Sequence, residues 1–493
     1  MNELARLVVP AVRWDWAHGF RYVEGLIDDA LELGVGGFLV DGGPREEVAA
    51  LVARLRAGSR APMLVAAHAE RGAAQAVDGL TGLPPFGALA GVAVVEQDPG
   101  RAASLDLELV RRAARITARE LRMVGMNWAL APVCDLDVAR GTSRVGMRGA
   151  GGEAAMVSAV VSEWVDACQA ESVVACAMHF PGIGRMLEGA GGGVVKDAAA
   201  FLRRADLLPF AAAIDAGAAS VMVAAAAVPS LGAADAAMLS QALVATLLRA
   251  ELGFDGLVTT VPLDRESAID VANEPAIAVA AVSAGCDVVL APSDLSGVVD
   301  ALSRAASRGE LSAARVRESL GRVDRWAGWA SLAAGEATRE PSLDDVMWSR
   351  QLADHAVRFV SGSRPRVGGT IEVVAVASES ARASLAAFTD TLRAFHIAVT
   401  ESAQPTAGER APLAAQFVPS DTVGDGVTRD ELDRARAAAI PAVHAGRDTV
   451  IVAYCHPRAA AALGRDLSVV CAWEPSRAMQ QAAARSLVPA SAR

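Results

Sequence analysis

Over about the first 300 residues, short apolar runs alternate with longer segments of helical periodicity, and the alternation repeats eight times. The runs are Leu7–Val12, Gly37–Val40, Met63–Ala67, Trp128–Val133, Val173–Ala177, Ser220–Ala225, Leu257–Val261 and Val288–Leu290. Between them, helical spacing covers Val23–Leu33, Glu46–Leu55, Leu105–Val124, Glu153–Cys168, Ala198–Ala216, Ser240–Glu251, Ile277–Ala284 and Leu295–Ser307. Strand-helix repetition predicts a parallel sheet with right-handed crossovers, and eight such units are the number that closes a (β/α)8 barrel. A doubly wound open sheet is the competing architecture.

Beyond the last unit the spacing predicts a helix over Val323–Ala334, a polar turn-rich passage and another helix ending near Phe359. Ser361–Gly369 has the Gly, Ser, Pro and Arg content of a linker. A second α/β alternation follows, with strand candidates Ile371–Ala377, Ile397–Thr400, Thr449–Tyr454 and Leu467–Trp473 and helices at Ser380–Ala394, Arg429–Ala439 and Ser476–Ser486. The expected fold is therefore α/β: a TIM-type (β/α)8 barrel over 1–335, a helical and linker segment over 336–369, and a smaller three-layer α/β sandwich over 370–493.

Composition narrows the function classes. Hydrophobic residues make up 53% of the 493 and charged residues 21%, which provides for large cores. A net charge of −11 without a basic stripe argues against nucleic acid as a partner. Runs such as Ala219–Val228 are too short to span a bilayer, and the amino terminus lacks a basic stretch followed by a long apolar one, so the expectation is a cytoplasmic protein without a membrane partner. The six cysteines, Cys134, Cys168, Cys176, Cys286, Cys455 and Cys471, show no C-x-x-C spacing and suit buried reduced thiols.

In a barrel of this kind the chemistry sits where strands end and the following loops begin. That rule selects Arg13, Asp15, Asp41, His68, Glu70, Asp135, Asp137, His179, Asp264 and Asp294, with Arg144 and Arg148 in the loop after the fourth strand. Several carboxylates around one mouth suit glycoside hydrolysis, which uses two carboxyl groups about 5–5.5 Å apart for retention and wider for inversion. The same residues also serve as helix caps and arginine partners. A metal centre built from His68, Glu70, His179 and Asp264 finds no support in spacing, since neither H-x-H nor H-E-x-x-H occurs, and no metal is expected. The C-terminal segment carries no nucleotide-binding glycine motif, and no cofactor is expected.

The stretch AMHFPGIGR at Ala177–Arg185 resembles the K-H-F-P-G-H-G pattern of glycoside hydrolase family 3. The opening VVPAVRWDWAHGF, the third-strand HAERG, the fourth-strand NWALAPVCDLDV, the segment ELGFDGLVTTVPLD and the closing IVAYCHPRAAAALGRDLSVVCAWEP are similar to that family in order along the chain. The resemblance implies a barrel with a C-terminal α/β sandwich and a retaining β-glycosidase of β-N-acetylglucosaminidase or β-glucosidase type. It also implies an aspartate nucleophile after the seventh strand, and it places Val261 at that position.

Other motif positions depart as well. His68 stands where the family has a sugar-binding aspartate, Met178 replaces the motif lysine and Ile183 its second histidine. The following loop, RMLEGAGGGVVKD, has no histidine to act as acid/base, and Glu188 is its carboxylate before Asp197. Lys196 is the single lysine among 46 basic residues, so no other lysine substitutes for the missing one. Retained matches are Glu70, Asp135, Arg148 and His179. The resemblance thus implies His68, Glu70, Asp135, Arg148 and His179 as sugar contacts. The expectation is a carbohydrate-binding protein with impaired or absent hydrolysis and no identified partner protein. The alternative is an active enzyme that uses displaced carboxylates such as Asp264, Glu188 or Asp137.

Overall fold

The computed structural model describes residues 3–95, 104–139, 144–187, 193–265, 271–332, 340–362, 365, 367–382, 384–406, 411–420 and 427–488. Two compact units emerge, one of residues 1–81, 96–136 and 149–342, the other of 82–95, 137–148 and 343–493. Neither is contiguous in sequence, because two excursions from the barrel segment are counted with the C-terminal unit.

In the first unit the apolar runs form strands at Val8–Val9 and Ala11–Arg13, Gly37–Asp41, Leu64–His68, Trp128–Leu130, Val174–Phe180, Ser220–Val223, Leu257–Thr260 and Val289–Leu290. From Ala11–Arg13 to Leu257–Thr260 they lie side by side in sequence order, and every pairing is parallel. Pro10 divides the first strand because it has no N–H for a ladder. The half before it pairs with the eighth strand, Val8 to Val289 and Val9 to Leu290, and the half after it with the second. Val288 bridges to Thr259, so the eighth strand meets the seventh and the sheet closes. The strands are almost wholly buried, in keeping with a parallel sheet covered by helices.

Helices alternate with strands as expected, with local differences. Leu107–Met123 buries Val110, Ala113, Ala114, Thr117, Ala118 and Leu121 at helical spacing behind an Asp106 cap. The segment expected as one helix over Ala198–Ala216 is two, Ala199–Arg204 and Leu208–Asp215, the second opening with Pro209 in its first turn. Ala242–Glu251 is wound with π-type hydrogen bonding, which apolar periodicity does not distinguish from an α-helix.

Asp287 secures the barrel where it closes. It is fully buried and accepts from Arg249, from Arg315 Nη2 at 2.7 Å, from the Ser319 hydroxyl at 2.9 Å and from the Val258 amide at 3.0 Å. The eighth strand is thereby tied to the seventh and to the helix Ala313–Leu332.

The second unit holds a six-stranded sheet in the order Arg358–Ser361, Ser468–Cys471, Thr449–Ala453, Leu413–Phe417, Thr370–Val376, Ala398–Ser402. Five strands are parallel, and the first is an antiparallel edge. Two strands correct the expectation: Arg358–Ser361 lies in the segment 336–369 expected as helix and linker, and Leu413–Phe417 lies where no strand was predicted. Phe388, Leu392 and Tyr454 fill one side of the sheet, Ala435, Ala439 and Leu463 the other, giving three layers. The helix Arg429–His444 starts in a capping box in which Thr428 Oγ1 accepts from the Glu431 amide while the Glu431 carboxylate returns to the Thr428 amide.

Two predictions follow from these anchors. Asp287→Ala removes the buried carboxylate shared by Arg249, Arg315 and Arg322 and lowers stability by about 3–5 kcal/mol in urea unfolding; an unchanged midpoint would contradict the anchoring role. Burial pushes the Glu431 carboxyl up, but hydrogen bonds from Ser420 and Thr428 outweigh it and hold the group at about 2. Its contribution is fully present above its unfolded value, about 4.3, and is lost as pH falls toward the folded value. Glu431→Gln accordingly flattens the acid limb of stability below about pH 4, measured by urea midpoints across that range.

Candidate functional site

The ends of the first, second and seventh strands carry a charge network. Leu257–Thr260 is followed by Val261, then Pro262 and the short turn Leu263–Arg265. Thr260 Oγ1 donates to the Val261 carbonyl at 2.8 Å and accepts from the Leu290 amide at 3.0 Å, which fixes the strand end and the place of Val261. Val261 is 8% exposed. Pro262 and the turn carry Asp264 away from the strand, with its amide bonded to the Ala291 carbonyl at 3.1 Å. Both Asp264 carboxylate oxygens accept from Arg13 of the first strand, one from Nη1 and the other from Nη2 at 3.1 Å. Arg13 Nε lies 3.8 Å from Asp41, which also accepts from Arg265. The result is an alternating network of two arginines and two aspartates.

A second cluster surrounds the motif at Ala177–Arg185. The fifth strand is longer than expected, so His179 lies inside Val174–Phe180 rather than after it, with a cis peptide between Met178 and His179. Asp135 is fully buried. Its Oδ2 is 2.7 Å from His179 Nδ1 and accepts from the His179 amide at 3.2 Å, while Oδ1 accepts from the Ile183 amide at 2.8 Å. A carboxylate beside Nδ1 places the ring proton there and leaves Nε2 as the other functional nitrogen. Gly184 is a packing necessity, since a Cβ there would lie 1.8 Å from the Leu136 carbonyl oxygen.

Arg185 closes the motif and leads to a residue that spacing did not single out. Its Nε donates to Asp206 Oδ2 at 2.9 Å, and its guanidinium stacks 4.5 Å from the Phe201 ring centroid. Asp206 is 2% exposed and its Oδ1 has no hydrogen-bond partner. Burial pushes this carboxyl up despite Arg185. A buried carboxyl with a raised pKa is a functional-site signal that appears only once the fold is known.

His68 ends the third strand and is half-buried, with Leu130 of the fourth strand as its register partner. Glu70 is half-buried in a tight bridge to Gly72. Asp15 accepts from the amides of Ala17 and His18 in its own loop, and Asp294 caps the helix Leu295–Ser307; both therefore have structural duties. Glu188 lies outside the described residues.

Asp137 and Arg148 belong to the second unit. Asp137 accepts from Arg458 Nη1 at 2.7 Å and Nη2 at 2.5 Å and lies 3.1 Å from His456 Nε2. Burial raises the Asp137 carboxyl, and these two partners bring it below the ordinary carboxylate value. Arg148 Nη1 donates to the Arg144 carbonyl at 3.3 Å.

Among the described residues, no three His, Cys, Asp or Glu side chains come together to hold a metal ion, and no helix is long and apolar enough to cross a membrane. All six cysteines are buried and unpaired. Burial pushes the Cys176 and Cys286 thiols up to about 12, which suppresses nucleophilic thiolate.

The chain matches the description "Glycosyl hydrolase family 3 N terminal domain" over residues 26–326. It is 33% identical to a beta-hexosaminidase of Stenotrophomonas maltophilia (strain K279a) over 294 residues, 59% of this chain and 84% of that protein. It is also 33% identical to a beta-hexosaminidase of Xylella fastidiosa (strain M12) over 316 residues, 63% of this chain and 90% of the relative. In structure it resembles a glycoside hydrolase family 3 beta-N-acetylglucosaminidase from Paenibacillus sp. str. FPU-7, with a TM-score of 0.81, 23% identity and coverage of 99% of this chain and 96% of that one. The last likeness concerns the fold.

The Asp135 contacts predict a measurable cost. Asp135→Ala strands the His179 ring proton and two backbone amides, lowering stability by about 2–4 kcal/mol in urea unfolding, and the ring proton of His179 loses its downfield NMR signal. An unchanged spectrum would show that Asp135 does not orient the ring.

Proposed function

The chain belongs to glycosyl hydrolase family 3, and from that premise we propose that it binds a β-linked sugar at its barrel mouth while hydrolysing N-acetylglucosaminides or glucosides weakly or not at all. The observation that carries this reading is the end of the seventh strand. The position that resemblance assigns to the nucleophile is Val261, which has no electron pair to attack an anomeric carbon. The next carboxylate, Asp264, is committed through both oxygens to Arg13. Attack from Asp264 requires breaking that bidentate pair and moving the turn Leu263–Arg265, whereas a nucleophile works from a position held to about 1 Å.

Binding is supported by what the mouth retains. His179 is oriented by Asp135 through Nδ1, and His68 and Glu70 stand at the end of the third strand. Imidazole and carboxylate groups at strand ends suit sugar hydroxyls, which both donate and accept. The six unpaired buried thiols fit a reducing compartment and support a cytoplasmic location.

The test is turnover of 4-nitrophenyl β-N-acetylglucosaminide and β-glucoside by the purified full chain. The expected rate is within about tenfold of the buffer blank, since loss of a nucleophile removes several orders of magnitude, and Asp264→Ala leaves it unchanged. Catalytic turnover abolished by Asp264→Ala would establish the displaced-carboxylate enzyme instead.

A further inference from the structure

The first barrel strand runs into an aromatic loop that the mouth residues do not use. The chain has 8 Trp, 2 Tyr and 11 Phe in 493 residues, yet Trp14, Trp16, Phe20 and Tyr22 fall within nine consecutive positions. Trp16 is 77% exposed and Tyr22 54% exposed. Large aromatic rings left in water together are unusual outside binding surfaces.

The loop is held rigid. The Asp15 carboxylate accepts from the Ala17 amide at 2.9 Å and the His18 amide at 2.8 Å, with His18 Nδ1 also at 2.8 Å. Asp15 and Gly19 exchange backbone hydrogen bonds, and the Tyr22 hydroxyl donates to the Arg13 carbonyl at 2.9 Å. Trp14 is wedged against Gly43, whose φ of +113° and lack of a side chain admit the indole, since a Cβ there would lie 3.1 Å from the ring. Trp14 in turn supports Trp16 and Phe20 edge to face, with centroids 6.1 and 5.1 Å away.

Against the helix Arg45–Gly58 this loop forms a pocket of about 430 Å³, within the size range of small-ligand sites. Trp14, Trp16 and Phe20 provide its apolar lining, and Arg21, Arg54, Glu24 and Glu47 its charged one. We propose that this pocket is a second carbohydrate site, distinct from the His179–Asp135 pair, and that it takes neutral β-1,4-linked oligosaccharides of gluco configuration. The proposal rests on the carbohydrate reading given above. Such sugars carry their substituents equatorially and present flat C–H faces that stack on indole, while ring-edge hydroxyls reach carboxylates and guanidinium groups. Two carboxylates balanced by Arg21 and Arg54 leave the lining without net charge, which suits a neutral ligand rather than an anionic polymer or a lipid surface. A loop already fixed by Asp15 and Tyr22 pays little ordering entropy on binding.

Tryptophan fluorescence and calorimetric titration of the full chain with cellotriose and with chitotriose test this, on wild type, Trp16→Ala, Trp16→Phe and His179→Ala. The expected result is saturable binding of at least one trisaccharide that Trp16→Ala weakens by about tenfold or more, as loss of a stacked ring implies. Trp16→Phe retains most of the affinity, and His179→Ala removes only the barrel-mouth component, leaving a Trp16-dependent binding component. Affinity within about twofold of wild type in Trp16→Ala, or binding removed by His179→Ala alone, would overturn the second site while supporting the barrel mouth. Absence of binding for both trisaccharides in wild type would overturn it also. Turnover of aryl glycosides bears on the mouth alone, so the two readings fail separately.

Discussion

The barrel depends on one pairing between chain segments some 280 residues apart: Val8 and Val9 beside Val289 and Leu290. A parallel strand without a second neighbour leaves a row of unpaired amides and carbonyls at an edge, and closure removes that liability. Pro10 lets a single short strand serve two neighbours in succession, the eighth before it and the second after it. Asp287 then ties the seventh and eighth strands to Arg249, Arg315 and Ser319. Because the first and seventh strands are held one strand apart by this closure, Arg13 and Asp264 meet across 251 residues of sequence. The site is a consequence of the ring.

The same closure decides the chemistry at the seventh strand. A retaining glycosidase needs a carboxylate with a free oxygen at the strand end, aimed at the anomeric carbon. Here the strand end presents a valine methyl surface, and the carboxylate three residues on is neutralised by an arginine. The contrast with the fifth strand is informative. There Asp135 uses both oxygens to hold His179 and the Ile183 amide, so its carboxylate is spent on orienting the ring and the motif backbone. Asp206, whose carboxyl burial pushes up despite Arg185, is a buried acid that the motif resemblance does not single out.

Much of the fold was legible in the sequence. Val- and Ala-rich runs bounded by polar residues correspond to all eight barrel strands, because buried parallel strands are apolar on both faces. Leu413–Phe417 escaped notice because its Ala-Ala-Gln centre has no β-branched or aromatic residue, and its strand character comes from the two neighbours that enclose it. Arg358–Ser361 was hidden by a following linker composition and is held as an edge by Ser468–Cys471. The site was legible only as a set of strand ends. Which carboxylate pairs with which base depends on register and loop geometry over 44 residues for Asp135 and His179 and 319 for Asp137 and His456. Neither composition nor spacing carries that information, and it is why Asp137, a barrel-mouth candidate from sequence, is counted with the C-terminal unit.

On the function proposed here, this chain keeps the family barrel but lacks a carboxylate placed to form a glycosyl-enzyme. The most direct measurement is intact mass spectrometry after incubation with 2-deoxy-2-fluoro-β-glucosyl fluoride and with 5-fluoro-β-N-acetylglucosaminyl fluoride, reagents that accumulate the covalent intermediate of a retaining enzyme. The account predicts an unmodified mass with both. A single sugar adduct mapped to Asp264 would contradict it.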